Sequence, residues 1–112
     1  MRFIADFHIH SKFSRATSKE MEVETLARWA KKKGITLLGT GDFTHPTYFS
    51  ELRSKLEPSG NGLFRLKKGG QDVQYLLTAE VSNIYTQNGK GRRIHTLIFA
   101  LGFEVTKSLL QI

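Results

Sequence analysis

Asp6, His8 and His10 occupy alternate positions of one short apolar stretch near the start of the chain. Side chains two residues apart on a strand project to the same side, so we expect these three on one face and the intervening apolar residues on the other. Neutral imidazole is a common ligand of zinc, manganese and iron, and a nearby carboxylate can orient it. The pair His8 and His10 therefore predicts a metal site, although a surface or core histidine pair has the same pattern.

The residues that follow predict a strand–helix–strand unit that would position this pair. After a polar loop over 11–18, apolar residues at helical spacing indicate a helix over Val23–Lys33, with Gly34 in the usual terminating position. The continuous apolar run Ile35–Leu38 is typical of a strand in a parallel sheet. A right-handed crossover of this kind brings the C-terminal ends of both strands to one edge.

Asp42 directly follows the second predicted strand, within the segment Gly39-Thr40-Gly41-Asp42. Functional groups of α/β sheets gather at the C-terminal ends of strands, so we expect Asp42 near His8 and His10. The same segment could instead form a simple turn in which Asp42 caps the next helix.

The second half of the chain changes to shorter, strand-like runs. A second helix is predicted to begin at Pro46, with an apolar stripe that ends at Leu56. The pattern then predicts strands at Leu63–Leu66, Val73–Thr78 and Ile94–Leu101, turns over 68–71 and 88–91, and a last helix at Val105–Leu110.

Glu80 and His95 accompany two of these strands. Glu80 follows an apolar run at the expected C-terminal end of a strand, and His95 lies near the start of the last strand. Alone, the first suits a solvated strand end and the second a hydrogen-bonded core residue. Convergence on His8 and His10 would favour a ligand role, because a buried cluster of such groups is costly without a metal or mutual pairing.

Length and composition limit the function classes. The 112 residues allow one domain at most, about half of a complete eight-stranded α/β barrel. Without cysteine there are no disulfides or thiolate ligands, so metal ligands must be His, Asp or Glu. There is no bilayer-spanning apolar stretch and no signal-peptide pattern, so we expect a cytoplasmic protein without a membrane partner.

The chain carries a formal net charge of +7. This excess favours association with polyanions such as nucleic acid. It is concentrated in Lys31–Lys33, in Lys67 and Lys68, and in the predicted turn with Lys90, Arg92 and Arg93, the candidate DNA contacts. Solvated loops and a helix C-terminus would explain each cluster about as well.

Four motifs in order, His8-Ile9-His10-Ser11, Gly39-Thr40-Gly41-Asp42, Ala79-Glu80-Val81 and His95, resemble the N-terminal part of the PHP (polymerase and histidinol phosphatase) family. The first two are most similar to its endonuclease Q branch. The resemblance covers essentially all of residues 1–112 and implies an α/β fold, the first strands and helices of a distorted (β/α)7 barrel. It also implies a metal-dependent phosphoesterase, in this branch one that nicks DNA beside deaminated bases such as uracil or hypoxanthine.

The resemblance assigns roles to individual residues. His8 and His10 match the first metal-binding motif, Glu80 the carboxylate that bridges two ions, His95 a ligand of the second ion, and Asp42 a catalytic position. The implied cofactors are two divalent ions, zinc or manganese, with iron also suited to these ligands. A water activated by these ions would attack the phosphodiester. Phe43 and Ala16 stand where other members have histidines, so a third ion is not expected.

The family's later ligands should lie beyond Ile112. We therefore expect an open sheet edge that is covered either by a further C-terminal portion or by self-association. Two alternative functions are also consistent with this sequence. One is a hydrolase of the TatD or amidohydrolase type, which also begins with His-x-His. The other is a non-catalytic, metal-stabilised module that binds nucleic acid or serves as a scaffold.

Overall fold

The computed structural model describes residues 3–13, 19, 21–69 and 72–104. The elements in chain order are β1 (Ala5–Asp6), α1 (Val23–Lys33), β2 (Leu37–Gly39), α2 (Pro46–Lys55), β3 (Leu56–Gly60), β4 (Leu63–Leu66), β5 (Gln74–Gln87) and β6 (Lys90–Ala100). The predicted helix Val105–Leu110, the position Ala16 and part of the 11–18 loop lie outside the described residues.

Six strands form one mixed sheet in the order β1-β2-β5-β4-β3, with β6 paired to β5. The strands β1, β2 and β5 run parallel, whereas β3, β4 and β6 join by antiparallel pairing. The α/β class that the sequence predicts is therefore confirmed in this mixed form.

Helix α1 has the bounds predicted from its periodicity. Its buried face consists of Val23, Leu26, Ala27 and Ala30. Gly34 ends the helix with φ 73°, and its N–H donates to the carbonyls of Ala30 and Lys31. Only a residue that tolerates this left-handed conformation can close the helix in this way.

Two buried tyrosines tie the helices to the sheet. The Tyr75 hydroxyl donates to the Val23 carbonyl at 2.5 Å, and the Tyr48 hydroxyl donates to the Thr40 carbonyl at 2.8 Å. Burial raises the pKa of both hydroxyls, so both remain protonated donors. Tyr48 thereby fixes the backbone just before Asp42.

Strand β1 is shorter than predicted, and His8 and His10 follow it instead of lying within it. Its ladder with β2 consists of Ala5↔Leu37 and Asp6↔Leu38. Beyond Asp6 the two backbones still run close together, because a Cβ built on Gly39 would lie 2.7 Å from the Phe7 carbonyl oxygen. The apolar alternation that predicts a longer strand thus continues past the end of the hydrogen-bonded ladder.

Helix α2 ends one residue before the predicted apolar stripe does. Leu56, expected on that helix, is buried as the first residue of β3, where it pairs with Leu66. Strand β3 is not predicted from the sequence, because Pro58 and Gly60 are typical of a turn. Pro58 is tolerated because β3 lies at the edge of the sheet.

Strands β5 and β6 extend well beyond the predicted runs. The pairing of β5 with β2 ends at Leu76, and β5 continues paired with β6 from Leu77 to Gln87. Glu80 is therefore inside a strand, not at its end as predicted. It lies four residues beyond the last β5 residue paired with β2, and so still beyond the C-terminal edge of the parallel strands.

Candidate metal centre

Two glycines allow the chain after β1 to approach the chain after β2. A Cβ built on Gly41 would lie 2.3 Å from the Ile9 carbonyl oxygen, and Gly41 has φ 69°. A side chain at this position would separate the segments that carry His8, His10 and Asp42. The absence of a side chain at Gly41, and likewise at Gly39 beside Phe7, therefore permits the close contact at this edge.

Three potential ligands meet there. One ligand atom from each of His8, His10 and Glu80 lies within 4.8 Å of the others. The two imidazole rings have centroids 5.5 Å apart. His8 is exposed and the other two are half-buried, so the cluster is open to a ligand from solution.

The Glu80 carboxylate faces histidines on both of its oxygens. Its Oε2 contacts Nε2 of His8 and lies 3.4 Å from Nε2 of His10. Its Oε1 lies 2.6 Å from Nδ1 of His95. The hydrogen bond from His8 is the main cause that holds the pKa of the Glu80 carboxyl below its usual range. Glu80 is thus an anionic acceptor that lies between the imidazoles of His8 and His10 on one side and the imidazole of His95 on the other.

Asp42 lies beside this cluster, with both carboxylate oxygens directed at neighbouring groups. Its Oδ1 is 3.8 Å from Nδ1 of His10. Its Oδ2 accepts the backbone N–H of Ser11 at 2.7 Å and the Ser11 hydroxyl at 2.6 Å. This geometry suits a carboxylate that orients His10 and the segment after it.

The alternative in which Asp42 caps the next helix is wrong. The N-cap of α2 is His45, whose Nδ1 accepts the Tyr48 N–H at 3.4 Å. Phe43, at the position where the resembled family often has a histidine, is fully buried in the core. Asp6 accepts the His8 N–H at 3.2 Å but is not a member of the cluster.

Sequence reasoning did not single out Ser11 or Thr78 as functional residues. Thr78 is buried, and its Oγ1 accepts the Gly41 N–H at 2.9 Å. Its own N–H donates to Oγ1 of Thr40 at 3.2 Å. The available signal was a small hydroxyl residue at the end of the first motif, Ser11, and another directly before the third, Thr78, since such residues often bond to nearby backbone.

The three predicted DNA-contacting cations lie on β6 and not in a turn. The connection between β5 and β6 is Asn88 and Gly89, both with positive φ, which suits a tight hairpin. Lys90, Arg92 and Arg93 are all exposed. None of the helices in the described part of the chain has the length and apolar character needed to span a bilayer.

The fold and the cluster define a mixed α/β chain with a candidate metal centre at the C-terminal edge of its parallel strands. No known family model matches the sequence. The chain is 33% identical over 107 residues to an uncharacterized protein of Methanocaldococcus jannaschii. The matching region covers 96% of this chain and 11% of that protein.

Two solved structures are similar to the chain. One is the lesion-specific endonuclease Q of Pyrococcus furiosus, with a TM-score of 0.76, 30% identity, and coverage of 96% of this chain and 24% of that one. The other is an endonuclease Q complex with a 27-mer duplex substrate with an abasic lesion at the active site, with a TM-score of 0.76, 34% identity and the same coverages. The chain is therefore similar to endonuclease Q but spans only 24% of its length.

Proposed function

We propose that this chain is the N-terminal part of a PHP-type, metal-dependent phosphoesterase domain with a distorted (β/α)7 barrel. We further propose that it acts as an endonuclease Q-like DNA repair nuclease on strands that contain deaminated bases. The main support is the meeting of His8, His10 and Glu80 within 4.8 Å, in a chain that is similar in structure to a lesion-specific endonuclease.

The donor set suits divalent ions, and we propose that it holds two. Imidazole and carboxylate suit zinc, manganese and iron alike. One oxygen of Glu80 faces His8 and His10, and the other faces His95, so a single carboxylate can serve both ligand groups. His8 and His10 would hold one ion, His95 would hold the second, and Glu80 would contribute to both.

The chain's own residues would position the reacting groups. Bound divalent ions supply activation of water and neutralisation of phosphate charge in phosphoester hydrolysis. Asp42, whose Oδ1 lies 3.8 Å from Nδ1 of His10, would help to position that imidazole and would act as the catalytic proton acceptor. The net positive charge of the chain, +7, favours DNA as the partner.

The first test is metal content. We expect at least about one equivalent of transition metal in the purified chain and its loss in the His8→Ala, His10→Ala double variant. The control is His45→Asn, which removes a histidine outside the cluster and keeps a capping acceptor for α2. Elemental analysis at matched protein concentration makes the measurement, and undiminished metal in the double variant would contradict the site.

The second test is strand cleavage. We expect metal-loaded protein to nick duplex DNA that contains uracil or hypoxanthine, and to leave the undamaged duplex intact. Removal of the metal by a chelator should abolish the nick. Retained metal without any turnover would instead favour the non-catalytic scaffold, and hydrolysis of amide but not phosphate substrates would favour a hydrolase of the amidohydrolase type.

A further inference from the structure

Strands β5 and β6 form a two-stranded arm that leaves the sheet. Every residue from 82 to 96 is exposed, and we refer to this segment as the arm. The pairing between β5 and β6, which includes the arm, has a continuous register from Leu77↔Ala100 to Gln87↔Lys90. The positions of side chains on its two faces therefore follow directly from the pairing.

The metal cluster identifies one face of the arm. Paired residues of an antiparallel ladder lie on the same face, and the face alternates with each residue. Glu80 and His95 are in contact at 2.6 Å, as expected for residues on one face, because His95 pairs with Ser82, two residues beyond Glu80. The buried residue Ala79, one position before Glu80, lies on the opposite face.

This alternation separates the three exposed cations. Arg93 pairs with Ile84 and shares the face of Glu80 and His95. Arg92 pairs with Tyr85, and Lys90 with Gln87, so both lie on the opposite face. The three cations are close together in the sequence, but the alternation of side chains along β6 places Arg93 on one face and Arg92 and Lys90 on the other.

Arg93 is also close to the cluster along the strand. It lies two residues from His95, which corresponds to about 7 Å at the usual rise of a strand. A DNA strand has one phosphate per roughly 3.4 Å of helix axis. Arg93 is therefore within about two nucleotides of a phosphodiester held at the cluster, a distance its long side chain can span.

The guanidinium of Arg93 is available for such a contact. Among the described residues it has no ion-pair partner, and neither does Arg92. A planar guanidinium can donate two parallel hydrogen bonds to a phosphate. Ile84, its cross-strand neighbour, is 72% exposed and offers an apolar surface along which the stem of Arg93 can lie.

We propose that Arg93 contacts a backbone phosphate of the DNA strand whose phosphodiester is held at the metal centre, and that Arg92 and Lys90 do not reach that strand. This proposal rests on the proposed nuclease function and defines which face of the arm meets the substrate.

The experiment compares two adjacent arginines that differ mainly in face. Arg93→Ala and Arg92→Ala remove the same charge from neighbouring exposed positions of β6. Binding of metal-loaded protein to a fluorescein-labelled duplex with one abasic site is measured by fluorescence anisotropy over a range of salt concentrations. Cleavage in the same samples is followed on denaturing gels.

We expect Arg93→Ala to raise the Kd about tenfold and to reduce the salt slope of binding by about 1. The loss in Arg92→Ala should be at least about fivefold smaller. Equal losses in the two variants, or a greater loss in Arg92→Ala, would overturn the proposal even if the chain cleaves DNA. A clear contrast in binding without any cleavage would support the placement of Arg93 and count against the nuclease.

Discussion

At the scale of single residues, Ser11 links the two segments that carry the candidate ligands. It is fully buried, donates its hydroxyl to Asp42 at 2.6 Å, and accepts the Phe13 N–H at 3.1 Å. The spacing of the motifs predicts that Asp42 lies near His10, but not that Ser11 holds its carboxylate. Such a contact depends on the tertiary approach of two loops, which periodicity does not contain.

Ser11→Ala tests this link. It removes two hydrogen bonds, the one that the Ser11 hydroxyl donates to Asp42 and the one that it accepts from the Phe13 N–H, so we expect a loss of about 1–3 kcal/mol in the free energy of unfolding. We also expect weaker metal binding, because His10 loses part of its support. Denaturant unfolding and metal titration measure the two effects. Ser50→Ala, at an exposed position of α2, is the control and should change neither.

At the scale of elements, the sequence predicts the amphipathic α1 fully and the sheet edges poorly. Val23, Leu26 and Ala30 recur at helical spacing, and Gly34 marks the end, so local signals agree with the structure. The bounds of β5 and β6 were missed because residues 82–96 are exposed and polar residues interrupt their apolar pattern. Their pairing depends on the Asn88-Gly89 turn, which lies within the turn predicted over 88–91 but is tighter than predicted.

Gly39 in β2 gives an element-scale prediction. A Cβ there would lie 2.6 Å from Oγ1 of Thr78 and 2.7 Å from the Phe7 carbonyl oxygen. We expect Gly39→Ala to lower the free energy of unfolding by about 1–3 kcal/mol, as overpacking does. Gly91→Ala is the matched control in β6, because a Cβ there meets no atom within 4 Å. Similar stability of the two variants in denaturant unfolding would contradict a tight approach at Gly39.

At the scale of the whole molecule, large apolar side chains near β1 and on α1 are exposed. Phe3 is 64% exposed, and Trp29, which is 55% exposed, lines a groove with Ile9, Leu26 and Leu38 among others. In the described part of the chain β1 pairs with β2 alone. The covering of this edge by a further chain segment or by a second copy stays a prediction.

We expect this surface to cause self-association of the 112-residue chain. Sedimentation should show an average mass that rises with protein concentration, and Trp29→Glu should reduce the rise by placing a charge in the apolar surface. Ile84→Glu, an equally polar change at an exposed arm position, should have little effect. A monomer at every concentration would show that the open edge does not pair with itself.

The strict alternation of the arm has a consequence for how this chain can change. On β6, a residue lies on the face of His95 when an odd number of residues separates the two, and on the opposite face when that number is even. Insertion of a single uncharged residue between Arg93 and His95 would exchange the faces of Arg92 and Arg93 without altering the net charge of the arm. Comparison of such arms by overall basicity would therefore miss the difference, whereas the count of residues from the histidine would reveal it.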